Sequence, residues 1–138
     1  MADTISLTEL AYFAGFFDGE GCVAIYPRKY VVSLTNTDVI PLRRAQQLWG
    51  GYISTQDRSK NPIAIQDIWH WQIYGHNSRA FLEAIRSYTL IKSAQIDTYL
   101  EILNHVPSRR GMRYIGDAKE KIEVAAMQLR LLKRGLGG

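Results

Sequence analysis

A helical run that carries two glycines and ends on acidic side chains constrains this chain more than any other stretch. Residues 13–21 read FAGFFDGEG and follow ISLTELAY. Ser6 with Glu9 three residues later makes a capping box, and Leu7, Leu10, Phe13, Ala14 and Phe17 recur at helical spacing, which predicts a helix from Leu7 to Asp18. On another side Ala11, Gly15 and Gly19 fall at i, i+4 and i+8, leaving a groove that a second backbone could approach closely. Glycine inside a helix costs ~1 kcal/mol relative to alanine, so Gly15 needs a reason, and close helix packing supplies one. Gly19 is expected to end the helix in the left-handed conformation, with Glu20 just beyond it. A carboxylate at that end of the helix dipole asks for a compensating cation. Taken alone, Glu20 reads more readily as a solvated turn residue.

The rest of the chain bounds where such a helix can sit. Its 138 residues suit one domain spanning 1–138, with a hydrophobic fraction of 46% and 22% charged residues. Lysine and arginine exceed aspartate and glutamate by 17 to 13, a net charge of +4 that favours a polyanionic partner without specifying one. Cys22 is the single cysteine, so no intrachain disulfide forms. His70, His76 and His105 lack ligand spacing for zinc. No secretory leader is expected, and no apolar run approaches the ~20 residues of a membrane span, so the reading is a soluble, intracellular protein with no membrane partner.

In chain order, residues 22–27 (CVAIYP) alternate as a half-buried strand, with Val23 and Ile25 on one face and Ala24 and Tyr26 on the other. Residues 30–37 form its hairpin partner across a charged turn of Pro27, Arg28 and Lys29. There Val32 and Leu34 point inward, opposite Val31, Ser33 and Thr35. Asp38 caps a helix over 39–49 that tolerates Pro41 in its first turn and stops at Gly50 and Gly51. A second hairpin pairs 52–58 with 66–74, where Trp69, Trp71 and Ile73 share one face. Asn77 caps a helix over 78–88, another runs 93–106, and a final amphipathic helix covers 117–134. Between the last two, Arg109, Arg110 and Arg113 are phosphate contacts or plain surface. The expected class is α+β: an antiparallel sheet of two hairpins with helices packed on one face.

That leaves the other sheet face. Parity assigns it Tyr26, Arg28, Ser33, Ser54, Gln56, Arg58, Gln66, His70, Gln72 and Tyr74, with Lys29 at the hairpin turn. A solvated face is common in antiparallel sheets. Yet these side chains are suited to base edges and phosphates, and the Lys/Glu mixture of an unconstrained surface is missing. Nucleic-acid binding is the better reading.

The nine residues 13–21 resemble the LAGLIDADG motif, with Phe13 first, Ala14 and Gly15 following, Asp18 sixth, Glu20 eighth and Gly21 closing. The order of motif helix, hairpin, helix, hairpin and later helices is similar to a whole LAGLIDADG homing endonuclease domain of αββαββα type. Residues 33–38 (SLTNTD) resemble the end of that family's second strand, and Leu90, Ile91 and Lys92 with Gln95 resemble its later lysine segment. The eighth position carries Glu where Asp is also used, and Tyr12 and Phe13 replace a simpler aliphatic start.

The resemblance implies a site-specific endonuclease that cuts both strands of a long, roughly palindromic double-stranded DNA target and leaves short 3′ overhangs. A chain with one motif copy acts as a homodimer, its motif helices meeting along Ala11, Gly15 and Gly19, with Asp18 bonded to backbone across the interface rather than contributing to the metal site. It also implies Mg²⁺ (or Mn²⁺) held by Glu20 and the Gly19 carbonyl, with Lys92 stabilising negative charge and Asn36 ordering the attacking water. By themselves, Lys92 reads also as a solvated loop lysine and Asn36 as a strand-end turn residue. Family relatives that act as RNA maturases, with intron RNA as partner, or that keep DNA binding without catalysis, are the alternative.

Overall fold

Val32 stands in antiparallel register with Val23 on one side and Ile73 on the other, so the two hairpins share one sheet through their second strands. The computed structural model describes residues 4–27, 29–56, 67–107, 114 and 116–135. Strands β1 (Cys22–Tyr26), β2 (Lys29–Asn36), β3 (Tyr52–Gln56) and β4 (Ile68–Tyr74) lie in the order β1-β2-β4-β3, all antiparallel. The expected α+β class holds. The helices are α1 (Leu7–Glu20), α2 (Ile40–Trp49), α3 (Arg79–Ile85), α4 (Ser93–Leu103) and α5 (Ala118–Lys133). The chain divides into two units, residues 1–89 and 90–138.

In the first unit the inner sheet face supplies Val23, Val32, Leu34, Trp71 and Ile73 to a core closed by Phe13, Phe17, Leu42, Phe81, Leu82 and Ile85. A relay of edge-on rings joins the layers. Trp71 meets Phe81 at 5.0 Å, Phe81 meets Trp49 at 4.8 Å and Phe17 at 5.8 Å, and Trp49 meets Phe13 at 5.3 Å between centroids. Such pairs contribute about 0.5–1.5 kcal/mol each beyond area burial. This relay fixes α1, α2 and α3 against β4, and so fixes where the motif helix ends.

The helix ends differ from expectation at three places. α1 runs to Glu20 rather than Asp18, and Gly19 stays helical. Termination falls on Gly21, whose extended backbone (φ −80°, ψ 158°) donates its N–H to the Phe17 carbonyl at 2.9 Å. The position accepts only glycine for a steric reason: a Cβ on Gly21 would lie 2.5 Å from Cγ of the buried Phe17 ring. Asn77 does not cap a helix, because Gly75, at φ +56°, opens a 3-10 turn over residues 75–78 that contains it. The Ser78 hydroxyl donates to the Gly75 carbonyl at 2.6 Å, and α3 starts only at Arg79. Finally α4 ends at Leu103, where Asn104, His105 and Val106 turn back onto carbonyls of residues 100–103.

The α2 boundaries follow the expected chemistry. The Asp38 carboxylate accepts the Ile40 N–H at 2.9 Å, Pro41 sits in the first turn, and Gly50 (φ +82°) and Gly51 (φ +92°) stop the helix. Gly51 also lies where a Cβ would be 2.7 Å from the Gln72 carbonyl, and the Trp71 indole donates to the Gly50 carbonyl at 2.7 Å. In the second unit α4 buries Ile96, Tyr99, Ile102 and Leu103 and α5 buries Ala118, Ile122, Ala125, Ala126 and Leu129. Three alanines on that face let the two helices approach closely. Among the described residues no helix is long and apolar enough to cross a membrane.

Candidate nucleic-acid interface and carboxylate site

The outer sheet face is built by strand parity. In one row across the four strands stand Cys22, Ser33, Gln72 and Tyr52, and in the next Thr35, His70 and Ser54. Ala24, Val31 and Tyr74 form the row on the other side, followed by Tyr26 opposite Lys29. Beyond Ser54, Gln56 pairs with Ile68. The face thus brings together Tyr26, Lys29, Ser33, Ser54, Gln56, His70, Gln72 and Tyr74, as their alternation predicts. Arg28, Arg58 and Gln66, and the loop arginines 109, 110 and 113, lie outside the described residues.

Several of these groups are held in place. The ammonium of Lys29 stands 5.7 Å from the centroid of the Tyr26 ring and 5.5 Å from that of Tyr74, a cation attracted to two aromatic faces. Tyr74 packs 6.2 Å from Tyr52 and donates its hydroxyl to Gln72 Oε1 at 2.8 Å. Thr35 Oγ1 meets His70 Nδ1 at 3.1 Å. Tyr52 remains 70% exposed and Tyr26 54%, so large rings stand out from the sheet. Thr35 and Tyr52 belong to this face although they are not among the predicted contacts. The parity that selects Ser33 and Ser54 selects them too.

The motif helix presents a second feature. Ala11, Gly15, Gly19 and Glu20 are exposed and Asp18 is half-buried, while Phe13, Ala14 and Phe17 are sealed in the core. A Cβ built on Gly15 or Gly19 would meet nothing within 4 Å. Among the described residues, therefore, no close packing offsets the helix-propensity cost of these two glycines. The last carbonyls of a helix lack intrahelical partners, and Gly19 and Glu20 bring such oxygens together with a carboxylate. These are hard oxygen donors of the kind magnesium takes. One chain offers too few of them: among the described residues no group of three or more His, Cys, Asp or Glu side chains is placed to hold a metal.

Register places Asn36 at the same end of the sheet. Cys22 pairs with Ser33, so the chain entering β1 from Glu20 approaches beside the stretch of β2 that runs on to Asn36. The Asn36 carbonyl oxygen accepts the Asp38 N–H at 2.8 Å, a turn contact that orients the amide and leaves its NH₂. Lys92 lies in the second unit, half-buried, and its carbonyl accepts the Ile96 N–H at 2.9 Å as α4 begins. A charge perturbation lies elsewhere on the motif helix. Glu9 forms a fork with Arg44, Nε to Oε2 at 2.6 Å and Nη2 to Oε1 at 2.9 Å. Chiefly the hydrogen bond from Arg44 holds the Glu9 carboxyl below its ordinary value, against a partial desolvation that raises it. The capping bond survives beside it, Ser6 Oγ accepting the Glu9 N–H at 3.1 Å.

A motif helix ending in an exposed carboxylate, beside an antiparallel sheet whose outer face is polar and aromatic, defines a class. Residues 8–104 match the LAGLIDADG-like domain, and the chain belongs to that family. Among solved structures it is similar to the homing endonuclease I-CvuI in complex with its target in the presence of calcium. That match has a TM-score of 0.72 and 19% identity and covers 91% of this chain and 82% of the other. It is similar also to I-CvuI with an I-CreI target in the presence of magnesium, the DNA not cleaved. There the TM-score is 0.70 and the identity again 19%, covering 95% of this chain and 85% of the other. At this identity these likenesses establish the fold. No curated protein matches the chain.

Proposed function

We propose that the chain is a site-specific, metal-dependent DNA endonuclease that works as a homodimer on a long, roughly palindromic duplex. The observation that carries the reading is the open glycine face of α1 ending beside exposed Glu20. It makes sense when a second copy lays its own α1 there and brings a second Glu20 with it. Isologous contact of this kind gives a two-fold axis, which a palindromic target mirrors. Each outer sheet face then lies along the major groove of one half-site, wide enough at ~12 Å to admit strands. The net charge of +4 favours that approach.

The chemistry follows from the same residues. Two carboxylates brought together repel and raise each other's pKa unless a cation lies between them. Paired Glu20 side chains with the Gly19 carbonyls would hold Mg²⁺ (or Mn²⁺). When bound, such an ion lowers the pKa of water and stabilises charge at both scissile phosphates. The Asn36 NH₂ orients a water for attack. Lys92 stabilises negative charge as the phosphodiester breaks. Asp18, in the last turn of α1, bonds across the interface and keeps the two helices in register.

The test is cleavage of a randomised duplex pool with Mg²⁺ by the wild type and by Glu20→Gln. The reading expects the wild type to cut a defined subset and Glu20→Gln to bind that subset without cutting. If the wild type cuts no duplex and instead binds structured RNA, the endonuclease reading fails.

A further inference from the structure

We propose that Thr35 and Tyr74 are positioning residues that fix His70 and Gln72, at the centre of β4, as hydrogen-bond donors toward the DNA bases; this rests on the DNA reading above. His70 and Gln72 are two residues apart on the outer face and both half-buried. At a strand rise of ~3.4 Å per residue they stand roughly 7 Å apart, about two base-pair steps. Two base pairs of one half-site, two steps apart, are thus within their joint reach.

A neutral imidazole carries one N–H and one lone pair, and the bond made by one nitrogen decides the state of the other. Thr35 Oγ1 lies 3.1 Å from His70 Nδ1, and among the described residues its hydroxyl has no other partner. An imidazole nitrogen is a far stronger base than an alcohol oxygen, so the better pairing has Thr35 donating to Nδ1. The ring proton then sits on Nε2, and the outward nitrogen is a donor.

Gln72 is set in the same sense. Its Oε1 accepts the Tyr74 hydroxyl at 2.8 Å, which fixes the amide orientation and leaves the NH₂ as the outward group. Lys29, 5.5 Å from the Tyr74 ring centroid, adds a group that can only donate. The two internal bonds therefore take up the free imidazole nitrogen and one of the two lone pairs of Gln72 Oε1, and turn N–H donors outward. Guanine presents two acceptors, N7 and O6, and thymine O4, whereas cytosine presents an amine and adenine sets an amine beside its N7, so that glutamine reads adenine by using its carbonyl as well as its NH₂. The face is thereby tuned to guanine and thymine edges opposite His70 and Gln72.

The experiment has two arms. Ring ¹⁵N spectra of the free protein are expected to show the Nε2–H tautomer of His70 in the wild type and in Thr35→Ser, and a mixture of tautomers in Thr35→Val. Binding selection from a randomised duplex pool in Ca²⁺ is expected to enrich guanine or thymine over adenine and cytosine on one and the same strand at two positions per half-site. Tyr74→Phe should admit adenine at one of them, lowering discrimination by on the order of tenfold. An Nδ1–H tautomer in the wild type, or an unchanged tautomer in Thr35→Val, overturns the positioning role without any DNA present. Enriched sites whose base preference is the same in Thr35→Val and Tyr74→Phe as in the wild type overturn the proposal and leave DNA binding standing. A wild type that enriches no duplex sinks the DNA reading and the base preference with it, while the spectra still decide the role of Thr35.

Discussion

Gly21, on which the motif helix ends, is glycine because the ring of Phe17 occupies the space a side chain would need. Its backbone is extended rather than left-handed, so no strain of conformation asks for glycine there, and the requirement is the fully buried ring alone. Gly21→Ala should accordingly destabilise the fold by about 1–3 kcal/mol, the usual cost of overpacking a core. Urea unfolding checks this. Trimming the ring at the same time, Gly21→Ala with Phe17→Leu, should cost less than the two single changes summed, because the clash is shared.

Gly15 and Gly19 show the opposite environment, open space on an exposed helix face. Gly15→Ala should leave the isolated chain folded, and its helix should gain up to ~1 kcal/mol of propensity. Self-association should weaken, by about tenfold or more in dissociation constant, and more again for Gly15→Leu. Sedimentation velocity across a concentration series measures it. Alanine that strengthens helix stability and leaves association unchanged would remove the steric argument for a partner at this face.

The Glu9 and Arg44 fork gives the fold an acid-sensitive contact between α1 and α2. Because Arg44 depresses the Glu9 pKa in the folded chain, the contribution is present above the ordinary value of 4.5 and is lost as pH falls through the lower folded value. The difference in melting temperature between wild type and Glu9→Gln should therefore be visible at pH 6 and shrink toward zero as the solution is acidified below 4.5. A difference that persists unchanged at acidic pH would assign the fork no ionic role.

Glu20→Gln keeps the size and hydrogen-bonding capacity of the side chain and removes its charge. Cleavage should fall by about 100-fold or more, as expected for losing a ligand to a catalytic cation, while DNA affinity in the presence of Ca²⁺ stays within a few-fold. Filter binding and a cleavage time course separate the two.

Much of this was legible in the residues. Alternation of Val23, Val32, Leu34, Trp71 and Ile73 gave both hairpins and the inner face, and the same parity gave the polar outer face from Tyr26 to Tyr74. The helix termini were less legible. Gly19 and Gly21 are alike by residue type, and what sets them apart, open space at Gly19 and the Phe17 ring against Gly21, is a tertiary fact. Asn77 looked like a cap because Asn commonly is one, whereas the positive φ of Gly75 opens the turn earlier. Glu9 reads in sequence only as half of a capping box, since its partner Arg44 is distant in the chain. Thr35 and Tyr52 were available from parity but carry no charge or motif to draw attention.

Under the proposed function, two copies of this chain meet along α1 and act together on one duplex. The direct measurement is the mass of the complex formed with a duplex recovered from the cleavage selection, held uncut in Ca²⁺, by sedimentation equilibrium. Two chains per duplex, on a site whose halves are related by two-fold symmetry, is the predicted result. One chain per duplex, with cleavage of both strands retained when Mg²⁺ replaces Ca²⁺, would contradict it.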